Sequence, residues 1–422
     1  MEQLSYGEFS ANLHQRQSGE RVPLQVSIEV TRRCPLECRH CYNNLPMGDL
    51  DAKSRELTKE EHFRVLDELV DMGCFWILYT GGEIFARKDF LEIYTYAKKK
   101  GFLITLFTNG ILINEQIADY LAEWPPFAIE ITLYGRTRET YEALTMMPGS
   151  YDRCLRGIKL LKERHLPLKL KTVATSINKH EVMAMRRFAE EELGVDFKAD
   201  GQINPRIDCS QSPLAVRLTP EEVVALDMST AKAVSEYRNL AERELGFKKP
   251  RLSTIDTVYF CGGGKQSFAL NAYGGMTICV TSQQEVFDIR KDGLRHAWES
   301  SLRELRDRKR TRETKCIRCR IQSLCGMCPA NGEMELGDKE TPVAFYCHVA
   351  HLRAAVIESE VPEHGPCEFC DQGHERIGII ESALRIRRKE VDVESWAPPP
   401  QLFPILSNSS EISSGCGNCG GN

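Results

Sequence analysis

Residues 31–44 read TRRCPLECRHCYNN, and this segment follows the β-rich run LQVSIEV (24–30). The thiolates of Cys34, Cys38 and Cys41 can hold three corners of a [4Fe–4S] cube and leave its fourth iron free to bind a small molecule. A zinc site would normally need a fourth nitrogen or sulfur ligand at a comparable spacing, and none follows promptly. This segment, called the cluster loop below, therefore predicts an iron–sulfur cluster, with buried or zinc-bound cysteines as the alternative.

The composition is ordinary for a soluble globular protein with two or three domains: 422 residues, 42% hydrophobic and 27% charged. A net charge of −5 argues against a general binder of nucleic acid or of anionic membranes. The first residues, MEQLSYGEFSANLHQRQ, lack the apolar core of a signal peptide, and no run is long enough to cross a bilayer. The 17 cysteines are therefore expected to be metal ligands of a cytoplasmic protein, not a disulfide framework.

Residues 24 to about 200 alternate short β-rich runs with helical patterns, which predicts βα units around a parallel sheet. A capping box at Thr58 and Glu61 marks the start of the first helix. A partial barrel of the TIM type and a flavodoxin-like open sheet explain this periodicity almost equally well. Further predicted strands are 74–80, 103–108, 128–133, 168–174 and a short one near Phe197, and further predicted helices are 90–100, 114–123, 151–164 and 179–192.

The cluster loop, together with Gly81-Gly82-Glu83 at the end of the second predicted strand, resembles the radical S-adenosylmethionine (SAM) enzymes. The resemblance decides for an α/β fold, a partial (β/α)6 TIM-like barrel. It implies that SAM chelates the open iron of a [4Fe–4S] cluster through its methionine end. It also implies that Gly81, Gly82 and Glu83 lie against the amino group of SAM. The physical reason is that glycines let carbonyls approach a cationic amine, and a carboxylate complements its charge.

Three further contacts to SAM follow from the same resemblance. His40 occupies the position of an aromatic residue that packs near adenine. Thr132 ends the fourth predicted strand and corresponds to a contact with the ribose or the carboxylate, and Asn178 corresponds to a polar residue beyond the fifth strand. Polar residues at strand ends also serve as plain caps, so both readings stay open for these positions. Thr108-Asn109-Gly110 is either a turn that lines the site or a structural turn.

Seven cysteines between residues 255 and 350 follow the order C-x12-G-x4-C, then CxxC-x5-C-x2-C, then a lone C. This order resembles the SPASM domain that follows many radical SAM barrels, except that the last short gap usually has three residues. Zinc is the alternative, although two CxxC pairs so close together form a poor zinc ribbon. The resemblance implies two auxiliary iron–sulfur clusters, an outer one held by Cys316, Cys319, Cys325 and Cys347 and an inner one held by Cys261, Cys279 and Cys328.

Other cysteines are open to more than one role. Cys209, at the junction of the two domains, is a candidate for the fourth corner of the inner cluster, or else a free thiol lining the pocket or a hydrogen-atom donor. The tail carries two further pairs, Cys367-x-x-Cys370 and Cys416-x-x-Cys419. These pairs are open to zinc or cluster binding, to redox pairing, or to being part of a substrate-like segment.

The predicted domain organisation has five parts. The region before residue 24 is too short for a separate leader-peptide-binding domain, so a peptide would be recognised elsewhere. The parts are an N-terminal extension (1–23), the partial barrel (24–225), a helical linker (226–254), the SPASM domain (255–357) and a partly disordered C-terminal extension (358–422).

The resemblance implies an oxidoreductase that cleaves SAM reductively and abstracts hydrogen from a substrate through a 5′-deoxyadenosyl radical. A reductant such as flavodoxin or ferredoxin is the expected partner. The segment CRIQSLCGMCPANGEMELGD (319–338) is most similar to SPASM enzymes that build thioether or carbon–carbon crosslinks in ribosomally made peptides. Maturation of a small molecule or cofactor such as a modified haem, and sulfatase activation, are the alternatives. A pure electron carrier is a further alternative, but it has no use for the SAM amine site at residues 81–83.

Overall fold

The computed structural model describes residues 5–17, 19–246, 256–319, 321–358, 367–370 and 372–398. The pair Cys416 and Cys419 therefore lies outside the described residues. A nine-stranded sheet runs through the barrel and the cysteine-rich region, and two further short strands pair separately with each other. The strands are β1 Gln25–Thr31, β2 Arg33–Cys34, β3 Leu45–Pro46, β4 Trp76–Gly81, β5 Leu103–Thr108, β6 Ala128–Thr132, β7 Leu168–Val173, β8 Phe197–Asp200, β9 Ser267–Leu270, β10 Gly275–Thr277 and β11 Phe287–Asp288.

Six strands, β1 and β4 to β8, are parallel and lie side by side in chain order. A flavodoxin-like sheet would instead have the order 2-1-3-4-5, with the second strand outside the first. Sequential order is that of a β/α barrel, and the described strands form an open arc in place of a closed ring. The predicted partial (β/α)6 barrel is confirmed.

The helices between these strands bury apolar faces in the same core as the sheet. Helix α3 begins at the predicted capping box, in which Thr58 and Glu61 bond reciprocally. The predicted helix 179–192 is instead divided into a 3-10 turn, α8 and a π-helical turn. The α-helices are α1 Tyr6–Arg16, α2 Leu50–Arg55, α3 Lys59–Asp71, α4 Phe90–Lys99, α5 Glu115–Glu123, α6 Arg138–Thr145, α7 Ser150–Glu163, α8 Val182–Arg187, α9 Pro220–Asp227, α10 Ala231–Gly246, α11 Ile289–Asp292, α12 Leu294–His296, α13 Leu302–Asp307, α14 Pro329–Leu336, α15 Ala344–Val356 and α16 Arg376–Arg387.

The cysteine-rich region is joined to the barrel through the sheet itself. Strand β9 pairs in parallel with β1, and Gln25 lies opposite Ser267. Strands β10 and β11 continue the sheet in antiparallel pairing. The strand that leads into the cluster loop therefore has a barrel strand on one side and a strand of the cysteine-rich region on the other.

The main hydrophobic core is continuous across these parts of the molecule. It includes Ile28 of β1, Leu270 of β9 and Ile379 of α16. A smaller cluster joins Ala241 of α10 to Ala350 of α15. Within the described ranges, no helix has both the length and the apolar character that a membrane span requires.

Candidate active site and iron–sulfur sites

The cluster loop is an excursion whose two ends are tied together. Arg33 and Cys34 form a short parallel pairing with Leu45 and Pro46. Inside the excursion, the Cys41 N–H donates to the Cys38 carbonyl at 3.0 Å. The sequence folds this way because β1 delivers the loop at the carboxyl end of the parallel strands, where barrel enzymes place their active sites.

The cluster-loop cysteines lie close together but are not arranged around one ion. Burial raises the pKa of all three thiols, and the charges of Cys34 and Cys41 raise the pKa of Cys38 further. Ligands of one tetrahedral zinc ion lie about 3.5–3.8 Å apart, given bonds of about 2.0–2.3 Å. The three sulfurs do not form a described group with all ligand atoms within 4.8 Å. The donor set therefore fits separate irons of a cluster better than one zinc ion.

A buried carboxylate holds the loop from the side of β1. Glu29 is 1% exposed, and burial raises its pKa. It accepts hydrogen bonds from Asn43 Nδ2 at 2.7 Å and from Arg32 Nε at 3.1 Å. Because Arg32 and Asn43 flank the three cysteines, one side chain fixes both ends of the loop. Sequence reasoning missed this residue, although a glutamate amid apolar residues in β1 was a visible signal.

Gly81 and Gly82 are explained by close approach of β4 to the cluster loop. A Cβ atom at Gly81 would lie 2.1 Å from the Thr31 carbonyl oxygen, and one at Gly82 would lie 2.5 Å from the Arg33 carbonyl oxygen. The backbone of Gly82 donates to Thr31 at 2.7 Å, and that of Glu83 donates to Arg33 at 3.0 Å. The absence of side chains thus positions the loop, while the contact of both glycines with the SAM amine stays a prediction.

The Glu83 carboxylate lies buried at the end of β5. It accepts hydrogen bonds from the Thr108 hydroxyl at 2.7 Å and from the Asn109 N–H at 2.8 Å. Burial raises its pKa. Asn109 Nδ2 in turn lies 3.5 Å from Cys34 Sγ, within reach of a hydrogen bond to sulfur. The turn Thr108-Asn109-Gly110 therefore lines the site, and Glu83 positions the residue that contacts the cluster ligand.

The remaining predicted SAM contacts gather at the same end of the sheet. The His40 ring lies 5.1 Å from that of Tyr134, and burial lowers the pKa of His40 to about 4, so the imidazole is neutral. Tyr134 also hydrogen-bonds the Cys38 sulfur. Asn178 is fully buried, and its Nδ2 donates to the Tyr134 carbonyl at 3.1 Å. Asn178 thereby ties the ends of β6 and β7, and half-buried Thr132 ends β6; their contacts with SAM stay predictions.

The segment after β8 joins the cluster loop to the cysteine-rich region. Arg206 donates to the Cys41 carbonyl at 3.3 Å, and the Ile207 N–H donates to the Tyr42 carbonyl at 2.9 Å. Cys209 has a positive φ of 67°, and its sulfur accepts a hydrogen bond from Gln284 Nε2 at 3.2 Å. This segment therefore connects the cluster loop with the cysteine-rich region.

Five residues lie at the boundary between the barrel and the cysteine-rich region. They are called the junction site below: Tyr42, Cys209, Tyr259, Cys279 and Glu333. Burial raises the pKa of Tyr42, and the charges of Cys41 and Cys279 add to this effect. Burial raises the pKa of Tyr259 to about 12, with contributions from the charges of Glu333 and Cys279. Burial and the charge of Glu333 raise the pKa of Cys209.

The predicted inner cysteines, which include Cys279 of the junction site, lie close to one another. Burial raises the pKa of Cys328 to about 11, and the charges of Cys279 and Cys261 add to this effect. Cys209 lies beside Glu333 and Gln284. Its assignment to the fourth corner of the inner cluster, or to hydrogen-atom donation, stays a prediction.

The four predicted outer cysteines line one cavity of about 60 Å³. Burial raises the pKa of each of these thiols. Lys315, Cys328, His351 and Cys367 line the same cavity. Buried thiols that converge on one cavity fit a cluster whose irons compensate the charge of the thiolates.

Two family models match separate parts of the chain. The model of the radical SAM superfamily matches residues 28–189, and that of SPASM, an iron–sulfur cluster-binding domain, matches residues 261–320. The second match includes Cys261, Cys279, Cys316 and Cys319. The assignment of the later cysteines depends on the cavity described above.

Curated relatives and one solved structure are also similar to this chain. A PqqA peptide cyclase from Bradyrhizobium diazoefficiens is 31% identical over 273 residues, which are 62% of this chain and 68% of the relative. An AdoMet-dependent heme synthase from Methanosarcina barkeri is 25% identical over 355 residues, 77% and 97% of the two chains. SuiB of Streptococcus suis, bound to precursor peptide SuiA, shares the fold with a TM-score of 0.59 and 16% identity, over 78% of this chain and 76% of SuiB.

The chain belongs to the radical SAM superfamily and carries a SPASM domain. It is therefore an enzyme whose cofactors are SAM and a [4Fe–4S] cluster in the barrel, with auxiliary iron–sulfur binding in the SPASM domain. The relatives include both peptide cyclases and heme synthases, so the substrate needs a separate argument.

Proposed function

We propose that this radical SAM enzyme modifies a ribosomally made peptide by forming a thioether or carbon–carbon crosslink within it. The proposal depends on Glu333 of the junction site. Its Oε1 lies 3.3 Å from Lys339 Nζ, whereas its Oε2 is buried without a hydrogen-bond partner among the described residues. A buried acceptor of this kind suits the N–H and O–H donors of a peptide. It disfavours a tetrapyrrole, because the carboxylates of such a substrate would repel it.

Glu333 also has the acid–base properties that crosslinking needs. Burial raises its pKa to about 7, against a lowering effect of Arg308. Near neutral pH the carboxyl group is therefore divided between both protonation states, which is the range in which a general base works best. We assign to Glu333 the acceptance of the proton that is released when the second residue of the crosslink is joined, and an auxiliary cluster of the SPASM domain would take up the electron released in the same step.

The remaining task of the protein is to bind and orient the reactants and to exclude water from the site. When bound, SAM and the first cluster supply the 5′-deoxyadenosyl radical that removes a hydrogen atom from the peptide. Cys34, Cys38 and Cys41 hold the cluster, and Asn109 donates a hydrogen bond to one of the sulfurs. Flavodoxin or ferredoxin is the proposed electron source.

One observation favours a second candidate, the maturation of a modified haem or another cofactor. The heme synthase from Methanosarcina barkeri is matched over 97% of its length, a larger share than for the peptide cyclase. We rank this candidate second because the basic side chains at the junction already form ion pairs with acidic side chains and are not available for the carboxylates of a tetrapyrrole. Lys339 pairs with Glu285 and Glu333, and Arg308 pairs with Glu285 at 2.6 Å.

The deciding experiment is anaerobic incubation of the cluster-loaded protein with SAM and dithionite. One arm contains Cys- or Gly-rich peptides encoded beside the gene, and the other contains iron-coproporphyrin. We expect 5′-deoxyadenosine and a peptide that has lost two hydrogen atoms, with the crosslink located by tandem mass spectrometry. Turnover of the tetrapyrrole alone would replace the proposal with cofactor maturation. Absence of 5′-deoxyadenosine in every arm would contradict both candidates.

A further inference from the structure

We propose that His351, Cys367 and Cys370 bind one zinc ion, at a site that borders the cavity of the outer cysteines. Among the described residues, this is the one group of three or more histidine, cysteine or acidic side chains whose ligand atoms all lie within 4.8 Å of one another. His351 belongs to α15, and the two cysteines belong to the CxxC pair of the C-terminal extension. The site thus joins two segments that are separated along the chain.

The distances are those of a single tetrahedral ion. His351 Nε2 lies 3.4 Å from Cys370 Sγ and 3.8 Å from Cys367 Sγ. With bonds of about 2.0 Å to nitrogen and 2.3 Å to sulfur, tetrahedral geometry places the nitrogen about 3.5 Å from each sulfur. The two measured distances bracket this value. The cluster-loop cysteines lack such spacing, so the same residue type is arranged for a different metal group.

The tautomer of His351 also suits metal binding. His351 Nδ1 lies 2.7 Å from the Cys347 carbonyl oxygen. A carbonyl oxygen can only accept, so Nδ1 carries the proton and the neutral ring directs the lone pair of Nε2 toward the two sulfurs. A backbone carbonyl that fixes a histidine in this way is a frequent outer partner at zinc sites.

The surroundings favour a neutral metal site. His351 and Cys370 are buried, and the ring of Phe369 packs 5.5 Å from the imidazole. Lys315 Nζ pairs with Glu368 at 2.8 Å and lies 3.9 Å from Cys367 Sγ, so this neighbouring pair adds no net charge. Zinc with two thiolates and one neutral imidazole is likewise neutral, which reduces the cost of burying it. Binding releases the two thiol protons to solvent.

The site has a structural consequence for the outer cluster. Cys347 and His351 lie one turn apart on α15, and His351 and Cys367 line the cavity of the outer cysteines. A zinc ion here fastens the C-terminal extension beside that cavity. The inference is independent of the substrate proposed above.

The test is the metal content of the full chain, purified anaerobically and measured by plasma mass spectrometry and zinc X-ray absorption. We expect one zinc per chain, with two sulfur ligands at about 2.3 Å and nitrogen at about 2.0 Å. Absence of zinc from wild-type protein grown with adequate zinc overturns the proposal. A zinc ion with four sulfur ligands and no nitrogen overturns it as well.

Variants locate the ion and separate it from the clusters. Cys370→Ser and His351→Gln are each expected to lower zinc occupancy at least tenfold in competition with a chelator, with iron content unchanged. His348→Gln is the matched control, because His348 lies on the same helix and packs 5.2 Å from Phe369 without belonging to the ligand group. Zinc retained in both variants, or iron lost with no change in zinc, overturns the assignment. If a variant does not fold, the zinc X-ray absorption spectrum of the wild-type protein decides the assignment.

Discussion

The cluster loop and the His351 site each contain a pair of cysteines with two residues between them, yet the structure arranges their sulfurs for different metal groups. In the loop, backbone contacts from β4 and side chains from β1 and β5 hold three sulfurs that do not fit around one ion. At the His351 site, a histidine and two sulfurs converge to the spacing of one ion. The comparison teaches that cysteine spacing along the chain leaves the metal open, and that the surrounding elements decide it.

The largest effect is expected from substituting a cysteine of the cluster loop. Cys34→Ser removes one of three cluster ligands, so we expect 5′-deoxyadenosine formation to fall to background. Cys154→Ala is the control, since Cys154 is fully buried in α7, interacts with Tyr141 and is not one of the predicted cluster ligands. It should cost about 1 kcal/mol of stability and leave SAM cleavage intact. The measurement is product by chromatography after loading with iron and sulfide. Full activity in the serine variant would contradict the assigned cluster.

The backbone support of the loop is tested at Gly81. Gly81→Ala places a methyl group against the Thr31 carbonyl at a φ of +135°, which L side chains rarely adopt. We expect a loss of about 3 kcal/mol or more in the free energy of unfolding, together with poor cluster loading. Gly48→Ala is matched to it, because a Cβ atom there meets nothing within 4 Å. Chemical denaturation and electron paramagnetic resonance measure the two effects. Equal behaviour of the two variants would show that close packing against β4 does not hold the loop.

A smaller effect is expected from the hydrogen bond that reaches the cluster ligand. Asn109→Ala removes the donor 3.5 Å from Cys34 Sγ. Because the reduced cluster carries more negative charge, losing a donor should make the reduction potential more negative and slow SAM cleavage about 10- to 100-fold. Redox titration followed by paramagnetic resonance tests this expectation. Asn114→Ala, which removes an N-cap of α5 instead, should leave the potential unchanged. An unshifted potential in the Asn109 variant would assign that residue to the turn alone.

The smallest effect is expected in the pH dependence of crosslink formation, which tests the role of Glu333 at the junction site. The pKa of Glu333 is raised to about 7, so its ionised form increases as pH rises from 6 to 8. We expect crosslink formation to rise by up to about tenfold over that range, because the ionised form accepts the proton. Glu333→Gln should remove this rise while 5′-deoxyadenosine still forms without product. An unchanged pH profile in the glutamine variant would exclude Glu333 as the proton acceptor.

Much of the fold was predictable because its signals are local. The capping box at Thr58 and Glu61, the alternation of strands and helices, and the cysteine spacing each depend on a few neighbouring residues. The division of the predicted helix 179–192 was missed because apolar spacing over so short a segment does not distinguish 3-10, α-helical and π-helical turns. The sequential strand order could not be read from periodicity either, and only the family resemblance separated it from a flavodoxin-like sheet.

The candidate site was predictable at its cysteines and at residues 81–83, and less so around them. Glu29, Asn109 and Arg206 each contact a residue that is distant along the chain. The glutamate in apolar β1 and the turn at residues 108–110 were visible in the sequence, but their partners were not. His351 escaped for the same reason, since its cysteine partners follow 16 and 19 residues later. The sequence also gave no sign that β9 would pair with β1, because four residues of a strand do not specify their neighbour.

That pairing between β1 and β9 has a consequence for electron flow. The two strands share backbone hydrogen bonds from Gln25 to Ile28, immediately before the cluster loop begins. Domains joined only by a flexible tether can drift apart, and the rate of electron tunnelling between their metal groups then fluctuates. Here the hydrogen-bonded strands hold the barrel and the SPASM domain in one relative position. The first cluster and the auxiliary clusters would therefore be at the same separation at the start of each turnover.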